Sequence, residues 1–446
     1  MKKKLLAVIS AACAAAVLLT SCSGGSKNSS SSNSSGTKFP ANTNFTMWSF
    51  SALHTSFFKN AETQWNIAHP DTKIKLEITT MNVNDLRNKL LVAISAGTGA
   101  PDFANVEAGA SFQSVLKGTP QLVDLSDLIA NEKDKFLKAK LDAYSKDGKL
   151  YGIDFQGGAT LTFYNTEIFK QAGLDPTTIK TWDDFIAAGK TIKEKTGKLM
   201  FYTSQNIDRE YQLLVGQMGS DYFDKDGKCI LDNETNVKAL KMLHDMIYVD
   251  KIAAPAPGGS NDTEQAYGAI DKGNVAAVIM PDYYLNRFTN YMPDLKGKIL
   301  ISAPPAFPDA KYKTVVAGGT GTCITKQCQN IELAKKFLYE SKVTEQACNN
   351  IWTILGNDPP RTDVWDTISE SIDPNNKYVQ YFVNGKDLFK VLSSFKDSVG
   401  VITNNQYTPI LIDNLTNSAF YRVLVNNSQD PEAALKSVAD EVRKEM

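Results

Sequence analysis

Aromatic side chains recur beside amides, carboxylates and a guanidinium at a few points of this 446-residue chain. Trp48 and Ser51 close the first predicted strand, Glu107 follows the third, and Gln156 precedes a Gly157-Gly158 pair. Gln205, Asn206 and Arg209 follow a strand expected over 199–202, Asp282, Tyr283 and Tyr284 follow another over 275–280, and Asn405 and Tyr407 precede a late helix. An aromatic face packs against flat C–H surfaces, while planar amide, carboxylate and guanidinium groups fix the directions of hydroxyls. A buried hydroxyl left unpaired costs about 1–3 kcal/mol, so the polar partners would set specificity. The chemistry this mixture offers is non-covalent recognition of a polyhydroxylated ligand such as a sugar.

Within the group Tyr283 is the best candidate for a stacking platform. The run 275–280 is apolar and β-branched, which suits a buried parallel strand, and Pro281 cannot continue a central strand, so the chain turns there. Ligands of open α/β sheets bind beyond the carboxyl ends of strands, which is where this turn falls.

Covalent and metal chemistry find little support. Gly189-Lys190-Thr191 resembles the end of a phosphate-binding loop, but Asp184 stands where that motif needs its first glycine. Asp224-Lys225-Asp226-Gly227 lacks the later ligands of a calcium loop. There is no GxSxG elbow and no HExxH, the whole chain has three histidines, and Glu107, Asp208 and Asp282 form no recognisable glycosidase pair at the level of sequence. No cofactor is expected.

The elements that must position these residues alternate strand and helix. A strand over 45–50, a helix over 57–68, a strand over 73–80 and a helix over 84–96 lead to a third strand opened by Pro101-Asp102; this is the pattern of parallel sheets covered by helices. Asn165 suits a helix N-cap with Gly173 as its stop, and Thr181 with Asp184 forms an acidic capping box. Trp182, Phe185, Ile186 and Ile192 then share one helix face, which assigns Trp182 to packing.

The chain opens with Lys2-Lys3-Lys4 and an apolar run over 5–19, the pattern of a signal peptide over 1–21. Leu19-Thr20-Ser21-Cys22 is similar to a bacterial lipoprotein cleavage box, which makes Cys22 the expected acylated first residue; Cys13 would leave too short an apolar core. Residues 22–39, rich in Ser, Gly and Asn, cannot bury enough apolar surface to offset their ordering entropy and read as a tether. Removing the signal takes three lysines and moves the formal charge from −1 to −4, with no basic stripe for nucleic acid. The remaining 425 residues exceed what one core usually holds, so two lobes are expected. Cys229, Cys323, Cys328 and Cys348 lack zinc-site spacing, and an extracellular location permits disulfides without fixing pairs.

Taken in order, these motifs resemble a known family. Trp48-Ser49-Phe50-Ser51, the loop Ala96-Gly97-Thr98-Gly99-Ala100-Pro101-Asp102, the stretch 151–192 with its Tyr-Asn, Ala-Gly-Leu and Thr-Trp-Asp-Asp, the turn Pro281–Tyr284 and the glycines 318, 319 and 321 are similar to the extracellular solute-binding proteins of bacterial ABC importers, the sugar-binding group above all. The resemblance covers about 43–446. It implies an α/β, two-lobed periplasmic-binding-protein-like (type II) fold with a hinge and a central cleft: 40–157 and 317–357 in one lobe, 158–316 and 358–446 in the other. It further implies a lipid-anchored monomeric receptor on the outer face of the cell membrane that binds a carbohydrate and delivers it to membrane permease subunits. Two alternatives share these features: a surface-anchored carbohydrate-active enzyme, and the same receptor frame for a polyamine or peptide.

Overall fold

Alternation of apolar and polar residues builds the first sheet. In β1 (Asn42–Ser49) Phe45 and Met47 turn inward, Phe45 between the exposed Asn44 and Thr46 and Met47 between Thr46 and the half-buried Trp48. After helix α1 (Ala52–Ala68), β2 (Lys73–Thr80) does the same with Ile74 and Leu76. Helix α2 (Val83–Ala96) ends on Gly97 in the left-handed conformation and leads to β3 (Phe103–Glu107). The computed structural model describes residues 39–446, so the signal peptide, nearly all of the tether and Cys22 lie outside the described residues.

Beyond β3 come α3 (Lys138–Ala143), β4 (Ile153–Asp154), β5 (Thr160–Asn165), α4 (Trp182–Thr196) and α5 (Arg209–Gln217). They are followed by β6 (Ala277–Pro281), α6 (Tyr284–Tyr291), β7 (Ile299–Ser302), β8 (Thr314–Val315) and β9 (Thr320–Ile324). The first lobe is organised on a five-stranded sheet of order β2-β1-β3-β9-β4. Its first three strands are parallel, whereas β9 returns antiparallel between β3 and β4. The second lobe contains a sheet of order β6-β5-β7. Its strand β5 is buried along its whole length, with Tyr164 in one apolar layer beside Trp182 and Phe185, and Leu161 and Phe163 in another beside Phe288 and Trp365. The two-lobed α/β architecture expected of the sequence is therefore present.

One expectation needs correction. The apolar, β-branched run 275–280 suits a parallel strand, but β6 is antiparallel to β5, with Pro281 opposite Thr160. The reason is directional: β5 runs away from the first lobe as it enters the second, and β6 runs back toward the point of entry. Only the bridge Leu199–Val275, on the other side, is parallel.

Local signals fare better. Asn165 caps its helix through its side chain, Thr181 and Asp184 form the reciprocal capping box, and Trp182 Nε1 donates to Gln217 Oε1 at 2.7 Å inside the core. Asp224 Oδ1 accepts the N–H groups of Asp226 and Lys228, both at 2.9 Å, so the calcium-like run is a self-satisfied turn. All four described cysteines are free and buried.

Three chain segments pass side by side between the sheets. The segment 155–159 joins β4 to β5, and 316–319 joins β8 to β9. Ala317 donates its N–H to Gly158 O at 3.0 Å, and Ala159 bridges Val316. A third, around Asp358, accepts the N–H of Gly157 at 2.8 Å on its carbonyl and that of Gly158 at 3.1 Å on its carboxylate. Beneath them lies a buried ion pair, Lys140 Nζ to Asp154 Oδ2 at 3.1 Å, with Lys140 also donating to Gly318 O at 2.8 Å. Asp154 Oδ1 accepts the N–H groups of Gln156 at 3.1 Å and Thr320 at 3.0 Å, which ties the first two segments to one carboxylate. Glycine is required here by space as well as by φ: a Cβ on Gly319, whose φ is +124°, would lie 2.6 Å from Lys140 Nζ.

Candidate functional site

A cavity of about 780 Å³ opens where these three segments meet. One wall comes from the carboxyl end of the first sheet: Phe50 and Ser51 just after β1, His54 in the first turn of α1, and Glu107 at the end of β3. Gln156, Gly318, Gly319 and Asn357 form the floor. The opposite wall is Arg209 at the start of α5, Asp262, Tyr267, and the face of α6 and its preceding turn that carries Tyr283, Asn286, Arg287, Asn290 and Tyr291.

Of the residues singled out in the sequence, Ser51, Glu107, Gln156, Arg209 and Tyr283 converge on this cavity. The other seven are placed elsewhere. Trp48 pairs with Thr79 in the sheet and lines a separate hollow against Asn88 and Val92 of α2. Gln205 and Asn206 both donate backbone N–H groups to Gly259 O, at 3.0 and 2.9 Å, which fixes a turn and keeps them off the cavity lining. Asp282 is fully buried beneath the cavity, where Oδ2 accepts the N–H of Asp358 at 3.1 Å. Tyr284 points into the core, its hydroxyl donating to Asn261 O at 2.6 Å. Asn405 spends its carbonyl oxygen on the N–H of Tyr407 at 2.8 Å, and Tyr407 packs against the apolar layer of Trp182.

Sequence reasoning missed His54, Asp262, Tyr267, Asn357 and most of α6. Continuing the helical period from Tyr283 would have found Asn286, Arg287, Asn290 and Tyr291, which lie three, four, seven and eight positions on. His54 and Asn357 are single polar residues with no local pattern.

The polar atoms of the cavity fall into two kinds. Some are fully engaged. Arg287 donates to both oxygens of Asp262, at 2.7 and 3.2 Å, and to Asn286 Oδ1 at 2.6 Å. Burial raises the Asp262 carboxyl, yet Arg287 outweighs it and holds that group below the usual range. Burial likewise opposes the charge on Arg209, but Tyr283, Asp208 and Glu107 keep it firmly protonated. Glu107 is pushed up by burial, with Arg209 acting against the rise. Burial drives the Tyr283 phenol up to about 12, so it remains a neutral hydroxyl.

Others lack a partner although buried: His54 Nδ1, Gln156 Nε2, Arg209 Nε and Asn357 Oδ1. Asn357 Nδ2 donates to Gln156 Oε1 at 3.2 Å, and this side-chain pair leaves one free donor and one free acceptor at the floor. A hydroxyl, which donates and accepts, satisfies both. His54 stacks on Phe155 with centroids 4.2 Å apart, and burial, with Lys342 adding, lowers its pKa to about 3; it is a neutral hydrogen-bonding ring. Among the described residues no cluster of three or more His, Cys, Asp or Glu side chains is arranged to hold a metal.

A two-lobed α/β frame with a polar, aromatic-lined cavity over three crossing segments defines a solute-binding protein. Residues 51–339 match the family model for bacterial extracellular solute-binding proteins, and the chain belongs to that family. It is similar to the arabinooligosaccharide-binding proteins of Bacillus subtilis (41% identity, covering 90% of this chain and 92% of that one) and Halalkalibacterium halodurans (39%, covering 91% and 90%). In fold it matches a substrate-binding protein of Listeria monocytogenes solved with cycloalternan, at a TM-score of 0.69 and 22% identity over 91% of this chain and 99% of that one.

Proposed function

We propose that this protein is the solute receptor of an ABC importer, that it binds an arabino-oligosaccharide in the cavity between its lobes, and that it hands the ligand intact to the membrane permease. The observation that carries the reading is the unpartnered donor and acceptor left by Gln156 and Asn357, two residues that line the same cavity as Tyr283. Buried polar atoms without partners are costly, and a polyol supplies what they lack. The charge pattern supports a neutral ligand: Arg287 and Asp262 neutralise each other, and Arg209 faces Glu107 and Asp208. A polyamine would need uncompensated carboxylates, and the unpartnered Nε of Arg209 is left to donate to a ligand hydroxyl. The names of the two relatives above narrow the polyol to arabino-oligosaccharides.

In this reading the lobes are 40–157 with 317–357 and 158–316 with 358–446, they close on the ligand by a hinge at the crossing segments, and a monomer anchored through acylated Cys22 works at the outer face of the cell membrane. Calorimetry of the purified protein with arabinobiose, arabinotriose and maltotriose tests it. An arabino-oligosaccharide at a hundred times its Kd raises the unfolding free energy by about 2.7 kcal/mol. Release of arabinose from the ligand would show an enzyme, and no binding to any arabino-oligosaccharide would overturn the proposal.

A further inference from the structure

Three side chains of the cavity wall follow one another along a single face of α6: Tyr283 just before its first residue, then Arg287 and Tyr291. At 1.5 Å of rise per residue this row is about 12 Å long, more than one sugar ring spans. Each member is held from behind. The Arg287 guanidinium lies over the Tyr283 ring, 5.4 Å from its centroid, and is fixed by Asp262. Tyr291 lies flat against Tyr267, with centroids 5.0 Å apart and planes 6° from parallel, and the Tyr267 hydroxyl donates to the same Asp262. Yet Tyr291 is 53% exposed, so much of its side chain is open to solvent beside the Tyr267 ring that backs it. Asn290 beside it lines the same cavity and supplies an amide at the rim. An oriented ring open to solvent, with a neighbouring amide, repeats, at the outer end, the combination found around Tyr283.

We infer that Tyr291, backed by Tyr267, is an outer subsite that stacks a sugar unit distant from the Gln156–Asn357 floor, and that it makes affinity depend on ligand length. This rests on the sugar-binding reading above. Stacking on the exposed ring adds a contact that only the longer oligosaccharides reach, while a disaccharide seated on the floor stops short of it. Because Tyr291 is exposed and belongs to neither buried apolar layer, its removal leaves the core and the floor unchanged.

Titration calorimetry with arabinobiose, arabinotriose and arabinotetraose, on the wild-type protein and on Tyr291→Ala and Tyr291→Phe, decides the matter. In Tyr291→Ala, affinity for the tetraose falls about tenfold, equivalent to about 1.4 kcal/mol, while that for the biose stays at the wild-type value. Tyr291→Phe keeps the ring and keeps the length dependence. Equal losses at every length, or no loss at any, overturn the subsite while leaving the site itself standing. If the wild-type protein binds none of the three, the sugar reading fails and takes the subsite with it.

Discussion

Asp358 donates its backbone N–H to Oδ2 of Asp282 over 3.1 Å, which ties the third crossing segment to the turn that presents Tyr283. The remaining oxygens, Asp282 Oδ1 and Asp358 Oδ2, are buried without a conventional partner. Burial raises both carboxyls above their ordinary 3.8, and for Asp358 the neighbouring Asp282 raises it further. A proton shared by the pair resolves both facts. The folded protein then holds a proton that the unfolded chain releases, so the pair stabilises least at high pH and stability falls as pH climbs above 3.8 through the folded values. Asp358→Asn removes that share of the pH dependence. Thermal melts from pH 4 to 9 with an unchanged slope in the variant would disprove the shared proton.

Glu210 contributes a second, separable dependence. It is buried with Ser204 and Asn261, Nδ2 of the latter donating to it at 2.9 Å, and burial pushes its carboxyl to about 7 from 4.5. Ionising it in the folded state costs stability, which therefore declines between pH 4.5 and 7, by up to about 3 kcal/mol. Glu210→Gln flattens this window; urea unfolding at pH 5 and pH 8 reads the difference.

Tyr283 and its neighbour Tyr284 separate binding from folding. Tyr283→Ala costs about 1–3 kcal/mol of ligand affinity, a tenfold to hundredfold loss, and leaves the melting temperature of the free protein nearly unchanged. Tyr284→Ala opens a cavity in the core and costs about 3–5 kcal/mol of stability. Wild-type affinity in Tyr283→Ala would remove this ring from the site.

Lys140 supports the crossing segments from below. Lys140→Met strands the buried Asp154 carboxylate without its cation, a change that costs about 3–5 kcal/mol. Denaturant midpoints measure it, and a loss under 1 kcal/mol would mean that water reaches Asp154.

On the proposed anchoring through Cys22, Cys22→Ala is expected to release the protein from membranes and leave ligand affinity unchanged, because a Ser-rich stretch lies in sequence between Cys22 and the rest of the chain. Fractionation and mass spectrometry of the native chain check it; an unacylated Cys22 would refute the anchor.

Signals that depend on neighbours in sequence were legible: the Thr181–Asp184 box, the Asn165 cap, the 73–80 strand that is Lys73–Thr80 in the structure. The strand end and Pro281 marked the turn that carries Tyr283 and Tyr284, and the preference for Tyr283 came from the family resemblance. What failed depended on partners far along the chain. Trp48 has the composition of a platform, but pairing with Thr79 turns it toward α2. Asn405 looks free in sequence, yet its own turn consumes its carbonyl oxygen. Nothing local marks Asn357 as the partner of Gln156, because that contact exists only once the third segment has crossed beside the first.

The place of β9 between β3 and β4 has a consequence in time. Among the described residues β4 pairs with β9 alone, and β9 is synthesised after the whole of the second sheet. Until the ribosome has passed Ile324, the first lobe lacks the strand that joins its halves, and the pairing it awaits spans a long loop whose closure is slow. Completion of the first lobe is thereby postponed to the late part of synthesis. For a member of an extracellular family, that delay lengthens the interval in which the chain is still unfolded and able to leave the cell.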